Sequence, residues 1–193
     1  ITHGLGAFLS IAGLAVLVAR ATLYGNVWHI TACAIFGASM VLMYTASSLY
    51  HSIPIPRAKK VLRAVDHSMI YFLIAGTYTP FTLVTLHGPW GWSLFGMTGG
   101  LLIIGVVFKI FYTGRFEKLS LGIYLGMGWV AVFAIKPLMA VLPTNGLLLM
   151  FGGGLVYSGG VAFYVMERMR YHHAIWHVFV LGGNVPHYFA VLL

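Results

Sequence analysis

Three stretches of this chain set polar, chemistry-bearing side chains at fixed spacing in apolar surroundings. In the first, Ser47 and His51 stand four residues apart within SSLYHS. The second holds Asp66 and His67, side by side at the head of an apolar run. The third is HHAIWH, where His173 and His177 are again four apart. Residues four apart lie on one face of an α-helix. Two imidazoles so placed can hold one zinc ion, and a third from another helix, His51, completes a three-histidine site. Three protein ligands leave a fourth position for water, the arrangement of a catalytic zinc. Plainer roles stand beside this one. A histidine near a membrane surface also serves as a hydrogen-bonded packing residue. Asp66 has two further roles open to it, capping its helix or pairing with Arg63.

The elements that must position these residues follow from composition. Of 193 residues, 60% are hydrophobic and 7% charged. A soluble domain carries roughly 25% charged residues to cover its surface. That excludes an ordinary soluble enzyme, a disordered chain and a nucleic-acid module. The balance of 11 Lys+Arg against 3 Asp+Glu, net +8, would suggest nucleic acid in a soluble protein. In a membrane protein it is read by which side each charge occupies. The single cysteine, Cys33, cannot form an intrachain disulfide, so the redox compartment is not legible.

A bilayer-spanning helix needs about 20 mostly apolar residues. Seven stretches qualify: 1–19, 27–50, 65–86, 90–108, 119–142, 146–166 and 174–193. The expected fold is all-α, a polytopic seven-transmembrane helix bundle forming a single domain over residues 1–193, because the connections are short. A β-barrel would need alternating segments of about 10 residues, which these are not. The chain begins at Ile1 rather than Met, and the native N-terminus is expected upstream. The first stretch has no basic leader or cleavage site, so it is expected to remain a helix. Gly96–Gly100 and Gly122–Gly126 have the spacing of close helix–helix contacts. Pro80, Pro137 and Pro186 fall inside spans and are expected to kink them.

Charge then orients the chain. Arg57, Lys59, Lys60 and Arg63 follow span two, Lys109, Arg115 and Lys118 follow span four, and Arg168 and Arg170 follow span six. That places nine of the 11 basic residues on one side, with Arg20 and Lys136 left over. Cytoplasmic loops carry the Lys/Arg excess, so the N-terminus is expected inside and the C-terminus outside. His51, Asp66, His173 and His177 then fall in one layer near the cytoplasmic face. Asp66 is the one acidic residue these boundaries place within a span. An intramembrane carboxylate is by default a functional-site hypothesis. His67 and His172 point away from that layer's shared face. His29 and His87 fall at the opposite surface with an aromatic belt of Trp28, Trp90 and Trp92, and His187 lies deeper with a packing role. A retinal Schiff base is disfavoured because Lys136 is the sole lysine expected within a span. The four-residue histidine pair suits a small ion better than haem.

The pattern Ser-x-x-x-His in span two, Asp in span three and His-x-x-x-His in span seven resembles the progestin and adipoQ receptor family. The segments ITHG, SSLYHS, DHSMIYFLIAGTYTPF and HHAIWHVFVLGG are most similar to its bacterial branch, the hemolysin III-related membrane proteins. The resemblance covers all seven spans. It implies a seven-helix bundle with a cytoplasmic N-terminus, in a bacterial inner membrane. It also implies a zinc ion held by His51, His173 and His177, with Asp66 reaching it through water and Ser47 beside it. Of the family's first motif only Thr2 and His3 are present, its Glu falling before Ile1.

The function this implies is a zinc-dependent hydrolase of a lipid amide or ester, similar in metal layout to alkaline ceramidases. Asp66 and Ser47 would be its catalytic residues, membrane lipids its partners, and a lipid substrate would enter the bundle cavity sideways. Nucleic acid is not an expected partner. Two other classes stand beside it. One is a receptor-like or regulatory membrane protein with a structural zinc. The other is a pore-forming cytolysin, for which one intramembrane carboxylate and no continuous polar helix face are poor material.

Overall fold

Backbone N–H and C=O groups in hydrocarbon have no water to bond, so a span must satisfy them internally, as a helix does. A computed structural model describes residues 2–166 and 168–193 and shows no strand among them. Its elements are α1 (Thr2–Tyr24), α2 (Val27–Ser52), α3 (Pro56–Pro80), α4 (Pro89–Tyr112), α5 (Glu117–Gly128), α6 (Ile135–Val141), α7 (Thr144–Val165) and α8 (His172–Leu192). A π-helical turn, Phe81–Thr85, continues α3, and a 3₁₀ turn, Val130–Ala134, joins α5 to α6. Among the described residues seven helical stretches are long and apolar enough to cross a membrane, α3 with its π-turn and α5 with α6 each counting as one. The protein is thus an all-α, polytopic, seven-helix membrane protein. Ile1, the start of the first expected span, lies outside the described residues.

Helix ends depart from expectation where the chain leaves the apolar layer. Span three was expected from residue 65, but α3 begins at Pro56. Proline is favoured at the first helical position, and the Arg, Ala and Lys that follow are good helix formers. Hydropathy marks the hydrocarbon-soluble part of a helix, not its full length. The same correction applies to α4, which runs to Tyr112 and takes Lys109 into the helix. At α2 the start is fixed by a capping box. Asn26 Oδ1 accepts the N–H groups of Trp28 (2.9 Å) and His29 (3.3 Å), and the Asn26 N–H donates back to His29 Nδ1 (3.4 Å).

The prolines act through the carbonyls they leave unbonded. Pro80 has no N–H for the carbonyl of Gly76. The Thr79 hydroxyl donates to that carbonyl instead, at 2.6 Å, and the π-turn follows directly. Span five was expected to be continuous over 119–142 with a kink, yet it is broken. Pro137 has no N–H for Phe133, and the 3₁₀ turn lies there. The Tyr78 hydroxyl bridges the break, donating to the Gly128 carbonyl (2.8 Å) and accepting from the Ala131 N–H (2.9 Å).

Two compact units are distinguished, His3–Phe133 and Ala134–Leu193 together with Thr2. In the first, α2 packs on α3 around buried Phe36, Met40, Tyr44 and Tyr71. Gly76 on α3 sits so close to α2 that an added Cβ would lie 2.6 Å from Ser39 Cβ. In the second, α7 packs on α8, where a Cβ on Gly183 would lie 2.6 Å from the Tyr157 ring. These are the close approaches that small residues permit in lipid. The expected pairs Gly96–Gly100 and Gly122–Gly126 do not take part, since nothing described lies within 4 Å of where their Cβ atoms would be. Their i,i+4 spacing is met by chance in a chain with 24 glycines.

Candidate metal centre

The last turns of α2 carry Ser47, buried, and His51, exposed at the helix end with its ring centroid 4.7 Å from that of Tyr50. Asp66 is buried on α3, nearly three turns past Pro56. That depth removes it from a capping role, which belongs to the first turn. Arg63 takes a different partner, Glu117 Oε1 at 3.5 Å. The Asp66 carboxylate instead shares a side-chain hydrogen bond with Ser47. Because Asp66 accepts, Ser47 is the donor.

On α8, His173 is half-buried and His177 buried, one turn apart, with ring centroids 4.6 Å apart. Thr2 Oγ1 lies 3.3 Å from Nδ1 of His177. With the hydroxyl oxygen accepting from a protonated Nδ1, Nε2 would be the nitrogen of His177 that ligates a metal. This is how a metal-binding imidazole is commonly oriented. Thr2 has no signal in spacing, because it precedes His177 by 175 residues.

His51 stands on α2 of the first unit, and His173 and His177 on α8 of the second. Imidazole nitrogens are zinc ligands, and two of them one helical turn apart, as His173 and His177 are, can hold one ion together.

The other titratable groups are placed as follows. His67 turns toward Glu117, its Nδ1 3.6 Å from Oε2, and its carbonyl accepts the Tyr124 hydroxyl at 2.8 Å. His187 binds the Met150 carbonyl through Nε2 at 2.8 Å. His29 is the partner of Asn26 in the capping box of α2, and the His87 ring lies tilted against Trp28 and Trp92 at centroid distances of 5.0 and 6.5 Å. Two expectations need correction. Asp66 is not alone among carboxylates within the spans, because α5 begins at Glu117. Nor is Lys136 the sole lysine there. Lys109 is fully buried in α4 and donates to Glu117 Oε2 at 2.9 Å. The pair was hidden in the sequence by the turn at Gly114, which brings residues eight apart together.

Residues 1–188 match the family described as Haemolysin-III related. Over the whole chain the sequence is 49% identical to the Hemolysin-3 homolog of Bacillus subtilis (strain 168), covering 90% of that protein. It is 47% identical to Hemolysin-3 of Bacillus cereus, again over the whole chain and 88% of that protein. Across 85% of the chain it is 28% identical to the human monocyte to macrophage differentiation factor, covering 70% of that protein. No solved structure matches.

Proposed function

Since the chain belongs to the haemolysin-III related family of membrane proteins, with a more distant relative of the progestin and adipoQ receptor type, we propose that it is a zinc-dependent hydrolase of a lipid amide or ester. The observation that carries this reading is the pair of imidazoles on α8, His173 and His177, one turn apart with ring centroids 4.6 Å apart, to which His51 would add the third ligand. A zinc ion held by these three would acidify a water molecule and polarise the scissile carbonyl.

The remaining work falls to the chain's own side chains. Asp66 is the proton acceptor for the attacking water, and passes that proton to the leaving nitrogen or oxygen as the acyl bond breaks. Ser47 holds the carboxylate through its hydrogen bond. Thr2 fixes the ring of His177. A carboxylate buried within a span, as Asp66 is, is costly in a membrane protein, and function is the usual reason to keep one. The setting is a single seven-helix domain in the bacterial cell membrane, with its N-terminus in the cytoplasm, as the basic loops imply.

The test uses the purified chain reconstituted in bilayers containing ceramide and phospholipid. Mass spectrometry should detect free fatty acid, released in zinc-replete protein and abolished by a chelator. Protein that remains folded and zinc-loaded yet releases no fatty acid would contradict hydrolysis of these lipids. A non-enzymatic protein with a structural zinc would instead lose thermal stability on chelation with no product at any stage. The name of the Bacillus relatives carries a cytolytic reading. Leakage of dye-loaded liposomes at low protein dose would favour it.

A further inference from the structure

The third span is longer than a bilayer requires. Pro56–Thr85 is 30 residues of continuous helix, about 45 Å at 1.5 Å per residue, against a hydrocarbon core of about 30 Å. Roughly ten residues must therefore stand outside the core. All four Arg and Lys residues of this helix, Arg57, Lys59, Lys60 and Arg63, lie in its first eight positions. The surplus is thus at the N-terminal end, because tilting the helix fully into the core would bury those charges.

Arg57, Val61 and Val65 follow one another at four-residue steps down one face. Val61 is 64% exposed and Val65 38%. Descending the helix, this face changes from exposed cation to exposed apolar surface, with Lys60 beside it. That is the profile of a helix crossing from phosphate headgroups into acyl chains.

A second basic segment is brought alongside. Arg63 reaches Glu117 at 3.5 Å, and the Gly114 N–H donates to the same carboxylate at 3.0 Å. This fastens the turn carrying exposed Arg115 and Lys118 beside the start of α3. Glu117 itself is engaged by Lys109 at 2.9 Å. Among the described residues, Arg57, Lys60, Arg115 and Lys118 have no carboxylate within 4.0 Å.

We propose that the first turns of α3 and the α4–α5 turn together form a binding surface for anionic phospholipid headgroups. The protein leaves these cations without a counter-charge at headgroup depth, and lipid phosphate supplies it. Each Lys or Arg near a charged membrane surface adds about 1 kcal/mol of attraction, or about fivefold in binding per cation. The proposal is independent of any hydrolytic activity.

The test is lipid retention by the purified chain. Delipidated protein is equilibrated in micelles with equal amounts of phosphatidylglycerol and phosphatidylcholine, repurified, and its retained lipid quantified. Wild type should retain phosphatidylglycerol over phosphatidylcholine by about fivefold or more at low salt, and lose most of that preference near 0.5 M salt, where the Debye length is only a few ångströms. Arg57→Gln/Lys60→Gln should lose most of the preference, and Lys136→Gln should keep it. Equal retention of the two lipids by wild type overturns the proposal. So does full preference in the double variant, or displacement of the lipid by inorganic phosphate at matched concentration, which would mark a site for soluble anions. Should the double variant not fold, the salt dependence of wild type decides alone.

Discussion

Thr2 Oγ1 lies 3.3 Å from Nδ1 of His177, joining the first residue of α1 to a candidate metal ligand 175 positions away. The hydroxyl engages Nδ1, which would leave Nε2 as the nitrogen that ligates a metal. Removing such an outer partner costs metal affinity about 10- to 100-fold. Thr2→Val should therefore weaken zinc binding by that factor in a chelator competition, and Thr2→Ser should restore it. Equal affinities in all three proteins would leave Thr2 with a packing role only.

Asp66 and Ser47 separate metal binding from chemistry. Asp66→Asn keeps the shape of the site but removes its proton acceptor. Zinc content should be unchanged, while lipid turnover falls by about 10²-fold or more, the usual share of a general base. Ser47→Ala should cause a smaller loss in the same direction, since it acts through Asp66. Wild-type turnover by the Asn variant would remove Asp66 from the reaction.

The ion pair of Lys109 and Glu117 makes a stability prediction. Lys109 is fully buried, so losing its partner strands a charge. Glu117 is 29% exposed on its side chain, so the penalty should be about 2 kcal/mol, below the 3–5 kcal/mol of fully buried pairs. Glu117→Gln should lower the melting temperature in detergent, and Lys109→Met in the same chain should recover part of the loss. An additive or larger loss in the double variant would argue against charge stranding.

Tyr78 serves both sides of the break in span five, donating to Gly128 and accepting from Ala131. Tyr78→Phe leaves both backbone groups without that partner. Destabilisation of about 1–3 kcal/mol should follow, read as a drop in melting temperature with metal content unchanged. An unaffected melting temperature would mean that the break is held by Pro137 alone.

Much of this architecture is legible from residue order, and the exceptions share causes. Seven apolar stretches are visible because hydrocarbon demands them. His173 and His177 are visible because four-residue spacing fixes a helical face, and His51 and Asp66 because loop charges give depth. Where charge and helix coincide, as at Arg57 to Arg63 and at Lys109, hydropathy stops short of the true helix end. The glycines that matter, Gly76 and Gly183, are chosen by a partner helix, so local spacing pointed to Gly96 and Gly122 instead. Glu117 and Thr2 find their partners through the tertiary fold, which no local pattern records.

The central claim is that His51, His173 and His177 bind one divalent ion. Elemental analysis of the purified chain, with His51→Ala and His177→Ala beside it, tests this most directly. Wild type should carry about one equivalent of zinc, and each folded variant should lose most of it. Metal-free wild type after expression in zinc-replete medium, or variants as fully loaded as wild type, would contradict the account.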